Sequence, residues 1–365
     1  AAPLRWASLL GEWPTDCSLE AFERHLEEAL VVGRWALPKV QFLLTGVLGA
    51  GNEQAYAGRN RWLFHRAGID YLSGPPFLAP ARLRARQSDA DTCEPLPQPD
   101  PIPAIRRFDE ELRARGIRLV VMPTPVKAVI HPDGFSSRYP ARGPPLQNPS
   151  FASFLERLEA TGVLVFDPVP LLRTWEEESG NLSAYLATDT HWRPQAMAAV
   201  AEGLAAMLEQ HADFSERPVQ RYTRGVLEVS NFGDLTTMLS LPPGQTLFPP
   251  EKVTIEPVRE PGAASWQPDP VAEVLLLGDS FRIVYSNREA FTNRVAGREF
   301  HWGEDAGLAE QLSFFLERPV DRIVRNAGGS HTTRRDLARS IAREGTRGRD
   351  RLQHCLLYTS DAADD

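Results

Sequence analysis

Three short clusters in this chain have the residue types and spacing that acid–base or nucleophilic chemistry needs. Thr188-Asp189-Thr190-His191-Trp192 places a carboxylate two positions before an imidazole. In an extended segment residues i and i+2 project to the same side, so Asp189 can orient His191 without a distant partner. A carboxylate on one ring nitrogen fixes the tautomer and leaves the other nitrogen to take a proton. The same five residues also read as a capping Asp beside a structural His packed on Trp192. Leu277-Gly278-Asp279-Ser280-Phe281 puts a Ser just past an apolar run. A sharp turn there would expose its hydroxyl and aim its backbone N–H at a developing oxyanion; the other reading is a helix cap. Asn326-Ala327-Gly328-Gly329 offers a side-chain amide to an oxyanion, or is a plain turn.

These clusters need elements that bring them to one place. Helical spacing runs through residues 18–32, with apolar positions at Leu19, Phe22, Leu26, Leu30 and Val31. Residues 74–103 are rich in Pro, Asp and Arg and read as a long, lid-like loop. From there the pattern is α/β. The spacing predicts helices over 105–116, 151–160 and 194–210, the last with Pro194 in its first turn. It predicts strands over 118–123, 163–167, 274–277 and 321–325. Four strands, each followed by polar residues, argue for one doubly wound sheet with helices on both faces. In such sheets sites form at the carboxyl ends of strands. Residues 212–270 interrupt the pattern with Pro-rich, mainly β or irregular sequence.

Composition narrows the function classes. Hydrophobic residues are 42% and charged residues 24% of the 365, ordinary globular values that exclude collagen, coiled coil and a membrane bundle. A net charge of −8 argues against a nucleic-acid scaffold, which needs a basic face. No GxGxxG or GxxxxGK[ST] loop occurs, so no nucleotide cofactor is expected. Cys17 and Cys93 sit in no CxxC or Cys/His cluster, so no metal centre is expected. The longest apolar stretch, residues 36–51, contains Lys39 and Gln41 and is too short to span a bilayer.

Taken together, Asp189-Thr190-His191-Trp192, Gly278-Asp279-Ser280-Phe281 and Gly233-Asp234-Leu235-Thr236-Thr237-Met238-Leu239 resemble the SGNH-hydrolase-like alginate O-acetyltransferase family, the AlgX/AlgJ type. The stretches from Gly58 to Arg66 and from Met122 to Lys127 resemble it too, so the likeness covers about residues 18–340. In ordinary SGNH esterases the Gly-Asp-Ser element comes first. Here Asp-x-His precedes Ser280, the circularly permuted order of this acetyltransferase branch. The resemblance implies an SGNH-hydrolase-like three-layer α/β/α sandwich with a parallel sheet, as a single domain over 18–354. It implies Ser280 as nucleophile, His191 as general acid/base and Asp189 as the group that orients it. Gly233 and Asn326 would help hold the oxyanion, and Trp192 and Lys127 would line an acceptor groove. No cofactor is implied. The acceptor would be a bacterial exopolysaccharide such as alginate, in the periplasm, with acetyl arriving through a membrane-bound O-acyltransferase. Three rivals stay open: an SGNH-type carbohydrate deacetylase, a non-catalytic polysaccharide-binding scaffold, and a metal hydrolase built on Asp189, His191 and Asp279.

The ends are read apart from the fold. The chain opens Ala1-Ala2-Pro3-Leu4, and residues 355–365 resemble a translated sequencing-library adapter, the other reading being a natural acidic tail. On the first reading an export signal or anchor, a last strand or a carbohydrate-binding module would lie outside this sequence. A sheet edge would then stand unpaired.

Overall fold

The computed structural model describes residues 31–88, 99–140, 143–180, 182–211, 214, 220–325, 329–344 and 354–360. The expected helix at 18–32 therefore lies almost wholly outside the described residues, as do Cys17 and Cys93. At the centre is a five-stranded parallel sheet in the order Val320–Val324, Val274–Gly278, His354–Ser360, Arg118–Thr124, Leu164–Val165.

Alternation along the strands builds the layers. Leu119 and Val121 face one side with Leu275 and Leu277, and pack against Ile102, Ile105 and Leu112 of helix Pro101–Arg113, Phe154 and Leu158 of helix Phe151–Glu159, and Leu337 of helix Gly329–Glu344. Val120 and Met122 face the other side with Val274 and Leu276. There they meet helices Val169–Glu178, Pro194–His211 and Leu308–Leu316. Side chains of period two, buried on both faces, are what a parallel strand between two helical layers requires. The result is the expected three-layer α/β/α sandwich.

Element boundaries differ from expectation where prolines start helices. The helix expected from residue 105 begins at Pro101, because Asp100 Oδ1 accepts the Ile102 N–H at 3.0 Å and Pro101 sits where its missing N–H is harmless. Likewise residues 74–103 are not all loop: Pro80–Ser88 is a helix. The segment 212–270 is partly β, as expected. Strands Leu227–Asn231 and Glu251–Ile255 pair antiparallel, and a hairpin, Thr292–Val295 with Arg298–His301, joins their sheet.

Of the residues set aside above, 355–360 belong to the backbone fold. Strand His354–Ser360 pairs in parallel with Arg118–Thr124 on one side and with Val274–Gly278 on the other. This corrects the expected gap. Two largely apolar strands flank that position; residues 354–357 pair with both, and residues 358–360 with 122–124 alone, whatever the origin of the run. Helix Val31–Leu48 precedes the domain. Among the described residues, no helix is long and apolar enough to cross a membrane.

Candidate active site

Asp189 and His191 sit on a tight loop closed by backbone pairing. Tyr185 bridges Trp192 antiparallel, Leu186 N–H donates to His191 O at 3.1 Å, and Arg193 N–H donates to Ala184 O at 2.7 Å. Glu176 accepts the Ala184 N–H at 2.7 Å and so braces one end of the loop. Glu251, from the antiparallel sheet, accepts from both the N–H and the hydroxyl of Thr188 at 2.8 Å, and from Arg193 at 3.2 Å. The loop is thereby fixed before any substrate arrives.

The i, i+2 relation expected from sequence is present. Asp189 Oδ1 accepts from His191 Nδ1 at 2.5 Å and from the His191 backbone N–H at 3.0 Å. Its other oxygen accepts from Trp302 Nε1 at 2.8 Å and from the Asp234 N–H at 3.1 Å. Both residues are buried. Burial opposes ionisation of Asp189, but the imidazole and these donors outweigh it and hold the carboxyl well below its usual range. Burial likewise opposes protonation of His191. The Asp189, Asp234 and Asp279 carboxylates outweigh that and raise its pKa above the ordinary histidine value. A carboxylate can only accept, so Nδ1 carries a proton, and in the neutral ring Nε2 is the nitrogen with the lone pair. Nε2 is buried without a hydrogen-bond partner. An unsatisfied buried nitrogen calls for a ligand atom.

Ser280 follows the fully buried strand Val274–Gly278 and opens the short helix Ser280–Ile283. Gly278 is dictated by crowding, since a Cβ there would meet Arg282 Cζ at 2.4 Å. The capping alternative for Ser280 fails, because Asp279 is the cap: its Oδ1 accepts the Phe281 N–H at 3.1 Å. Ser280 itself is partly exposed. The serine turn is stitched to the histidine loop by Trp192 Nε1 donating to Phe281 O at 3.2 Å and Tyr285 Oη donating to Trp192 O at 2.7 Å. The Phe281 ring lies 4.7 Å from the His191 ring, and the Phe291 ring 5.6 Å from it.

Other expected site residues take different places. Trp192 is fully buried in the core and lines no groove. Its packing against Phe281 and its N–H to the Phe281 carbonyl explain it. Lys127 is also interior, donating to Leu63 O at 2.7 Å and Ala187 O at 3.2 Å, with burial holding its pKa down to about 8. Gly233 lies against the loop: its φ is +85°, and a Cβ would stand 2.2 Å from Thr188 O. Asn326 lies outside the described residues. The sequence reading gave no role to Asp234, which accepts from Thr190 N–H at 2.8 Å and Thr190 Oγ1 at 2.5 Å and stands 3.7 Å from His191 Nδ1. It gave none to Trp302 either. Asp234 was visible inside a quoted motif, whereas nothing local marked Trp302.

Asp189, His191 and Asp234 offer ligand atoms within 4.8 Å of one another, which could in principle serve a metal ion. Their bonding fits protons better. Asp189 Oδ2 already accepts from Trp302 and Asp234, both Asp234 oxygens accept from Thr190, and His191 Nδ1 pairs with Asp189.

Comparison with known proteins agrees with this architecture. The family model described as "SGNH hydrolase-like domain, acetyltransferase AlgX" matches residues 55–346. The probable alginate O-acetylase AlgJ of Pseudomonas aeruginosa is 32% identical over 140 residues, 38% of this chain and 34% of the relative. That of Pseudomonas putida is 25% identical over 296 residues, 74% of this chain and 70% of the relative. The chain spans about a third to a half of the length of the Pseudomonas aeruginosa and Pseudomonas syringae relatives. Among solved structures, the O-acetyltransferase domain of Pseudomonas putida AlgJ superposes with TM-score 0.58 at 19% identity, covering 84% of this chain and 90% of that one. Pseudomonas aeruginosa AlgX gives TM-score 0.57 at 17% identity, covering 85% and 63%. At such identities the structures speak for the fold. The family match over residues 55–346 carries the assignment: this chain belongs to the SGNH hydrolase-like, AlgX-type acetyltransferase domain family.

Proposed function

We propose that this protein is an O-acetyltransferase that moves an acetyl group through Ser280 onto hydroxyls of an anionic exopolysaccharide such as alginate. One observation carries the proposal. The buried Asp189–His191 pair turns Nε2 away from the carboxylate and leaves it without a hydrogen-bond partner beside the turn that presents Ser280. That is the arrangement a general base needs next to a nucleophile. Ser280 Oγ attacks the acetyl carbonyl while His191 Nε2 takes its proton, and a tetrahedral oxyanion forms. The oxyanion collapses, the donor's leaving group departs with the proton from His191, and acetyl-serine remains. A sugar hydroxyl then gives its proton to Nε2 and attacks the ester, releasing the acetylated sugar and restoring Ser280. Asp189 stays ionised throughout and stabilises the imidazolium. The Ser280 backbone N–H serves the oxyanion, with Gly233 and Asn326 as further members of that site.

The relatives' name, alginate O-acetylase, supports the acceptor class. A periplasmic setting and a membrane-bound O-acyltransferase as acetyl source complete the reading. The test is mass spectrometry of the chain incubated with an activated acetyl ester, with and without a mannuronate oligosaccharide. Acetylated sugar that vanishes in Ser280→Ala is expected, as is a stoichiometric acetyl adduct on Ser280 in the quenched reaction. Ser280-dependent free acetate without acetylated sugar would instead make it a deacetylase. Glycan binding with no turnover would make it a scaffold.

A further inference from the structure

The nitrogen that must take a proton from the incoming hydroxyl is closed to solvent. The His191 side chain is 2% exposed, and its Nε2 is buried without a hydrogen-bond partner among the described residues. Ser280, beside it in the proposed reaction, is partly exposed. Solvent therefore reaches the nucleophile and is kept from the base.

Two phenyl rings lie against the imidazole, Phe281 at 4.7 Å and Phe291 at 5.6 Å between centroids. They are mounted differently. Phe281 belongs to the serine turn and has the buried rings of Trp192 and Tyr185 at 5.5 Å and 6.5 Å. Phe291 ends a single 3-10 turn, Glu289–Phe291, and is partly exposed, while residues 287–290 before it are exposed. Its backbone is fixed all the same. Buried Asn231 donates to Phe291 O at 2.8 Å, and Asn231 Oδ1 accepts from the Phe232 N–H at 2.8 Å and from Asn293 at 2.7 Å. An apolar ring from a surface turn is thereby set at 87° against a buried base.

Such a ring treats water and sugar differently. A buried water commonly makes about three hydrogen bonds. At Nε2, beside two phenyl rings, it would give one proton to the nitrogen and face apolar carbon on those sides. A sugar hydroxyl brings its own ring, whose C–H groups pack on an aromatic surface. The difference matters once acetyl-Ser280 has formed. Whichever hydroxyl gives its proton to Nε2 attacks the acetyl carbonyl, and Ser280 Oγ leaves and recovers that proton from His191. Water yields acetate; a sugar yields the acetylated sugar.

We propose that the Phe291 ring is the cover that keeps water from His191 Nε2, so that it sets the partition of acetyl-Ser280 between transfer and hydrolysis. The inference deepens the acetyl-transfer reading and rests on it for its purpose.

Three measurements on the full chain test it. Diethyl pyrocarbonate acylates accessible imidazole nitrogens, so its rate of modification of His191, followed by peptide mass spectrometry, reads the cover without turnover. Phe291→Ala should raise that rate clearly above wild type. Acetyl-Ser280, formed from an activated acetyl ester without sugar, should lose its acetyl to water on the order of tenfold faster in this variant, the weight of about one hydrogen bond. With a mannuronate oligosaccharide present, a larger share of acetyl should end as free acetate. Phe291→Leu, which keeps an apolar bulk, should stay close to wild type in all three. Phe291→Val should fall between leucine and alanine, so the order decides even where alanine unfolds the chain in a thermal melt. Equal His191 modification across the series, or an acetyl-Ser280 lifetime that does not shorten with truncation, would overturn the inference. Absence of acetyl-Ser280 in wild type would overturn the proposed reaction instead, and the modification rates would still decide whether Phe291 covers the base.

Discussion

The indole Nε1 of Trp302 donates to Asp189 Oδ2 at 2.8 Å across 113 positions of chain. This contact joins the end of a surface hairpin to the buried carboxylate that orients His191. It leaves Asp189 with all its acceptor directions committed: His191 holds Oδ1, while Trp302 and the Asp234 N–H hold Oδ2. A carboxylate so bound cannot rotate away from the imidazole.

Trp302→Phe should therefore loosen that orientation without emptying the core. An aromatic side chain is kept though a smaller one, the charge-assisted hydrogen bond of the indole N–H is lost, and that loss costs about 1.5–3 kcal/mol. We expect turnover to fall by roughly tenfold or more, with the KM for the acetyl donor little changed. Steady-state kinetics beside a thermal melt checks it. An unchanged kcat in a folded variant would remove Trp302 from the positioning of Asp189.

Asp189→Asn should be far more severe, for a reason specific to this site. The Oδ2 position faces two donors, Trp302 Nε1 and the Asp234 N–H, so an asparagine must place its oxygen there. Its NH2 group then points at His191 Nδ1, which must accept. The proton moves to Nε2 and the base is lost. A fall in turnover on the order of 10³–10⁴-fold follows from the wrong tautomer. The fold should persist, as circular dichroism and a melt would show. Activity within tenfold of wild type would exclude the orienting role.

Asp234 sets the pH dependence alongside Asp189. His191 is faced by Asp189, Asp234 and Asp279, which together raise its pKa, while the Lys127 ammonium lies near Asp189 and Asp234. A general base must be neutral, so activity should be lost as pH falls through that raised value. Burial and the Asp189 carboxylate hold the Asp234 pKa above its usual range, and above that raised value Asp234→Asn removes one negative charge 3.7 Å from Nδ1. The His191 pKa should drop, and the acid limb of kcat/KM should move to lower pH. An acid limb that stays in place would show that Asp234 acts through Thr190 alone.

The sheet was legible because its physics is local. Strands such as Val274–Gly278 are apolar on both faces, and helix Pro194–His211 opens on a proline. Asp189 and His191 were legible for the same reason, being two residues apart. Trp302 and Glu251 were not, and Asp234 stood in a quoted motif without a role, because their contacts with the loop depend on how the antiparallel sheet folds back. Trp192 and Lys127 misled in the opposite direction. An aromatic and a cation beside motif residues look like substrate contacts, yet both are interior and serve backbone carbonyls. The run at 354–360 shows a further limit: its place between Arg118–Thr124 and Val274–Gly278 is set by two ladders distant in sequence.

Lys127 gives a prediction about stability. Burial holds its pKa down to about 8, against 10.5 in the unfolded chain, although Glu251, Asp189 and Asp234 pull the other way. A cation whose folded pKa is lowered destabilises the native state wherever both states are protonated. The native state loses its proton first as pH rises, so the unfolded state binds more protons between about pH 8 and 10.5, and stability rises across that window. Lys127→Met removes the titration and should flatten this rise. The difference between the two proteins should change by roughly 3 kcal/mol from pH 7 to 10.5, at 1.36 kcal/mol per pKa unit. The variant also removes the Lys127 donor from Leu63 O and from Ala187 O, the latter keeping the Leu63 N–H at 2.8 Å, at a cost of about 1–3 kcal/mol that does not vary with pH. Urea unfolding of both proteins across the range separates the contributions. A constant offset with no pH dependence would mean that Lys127 keeps its proton and acts only as a clamp between Leu63 and the histidine loop.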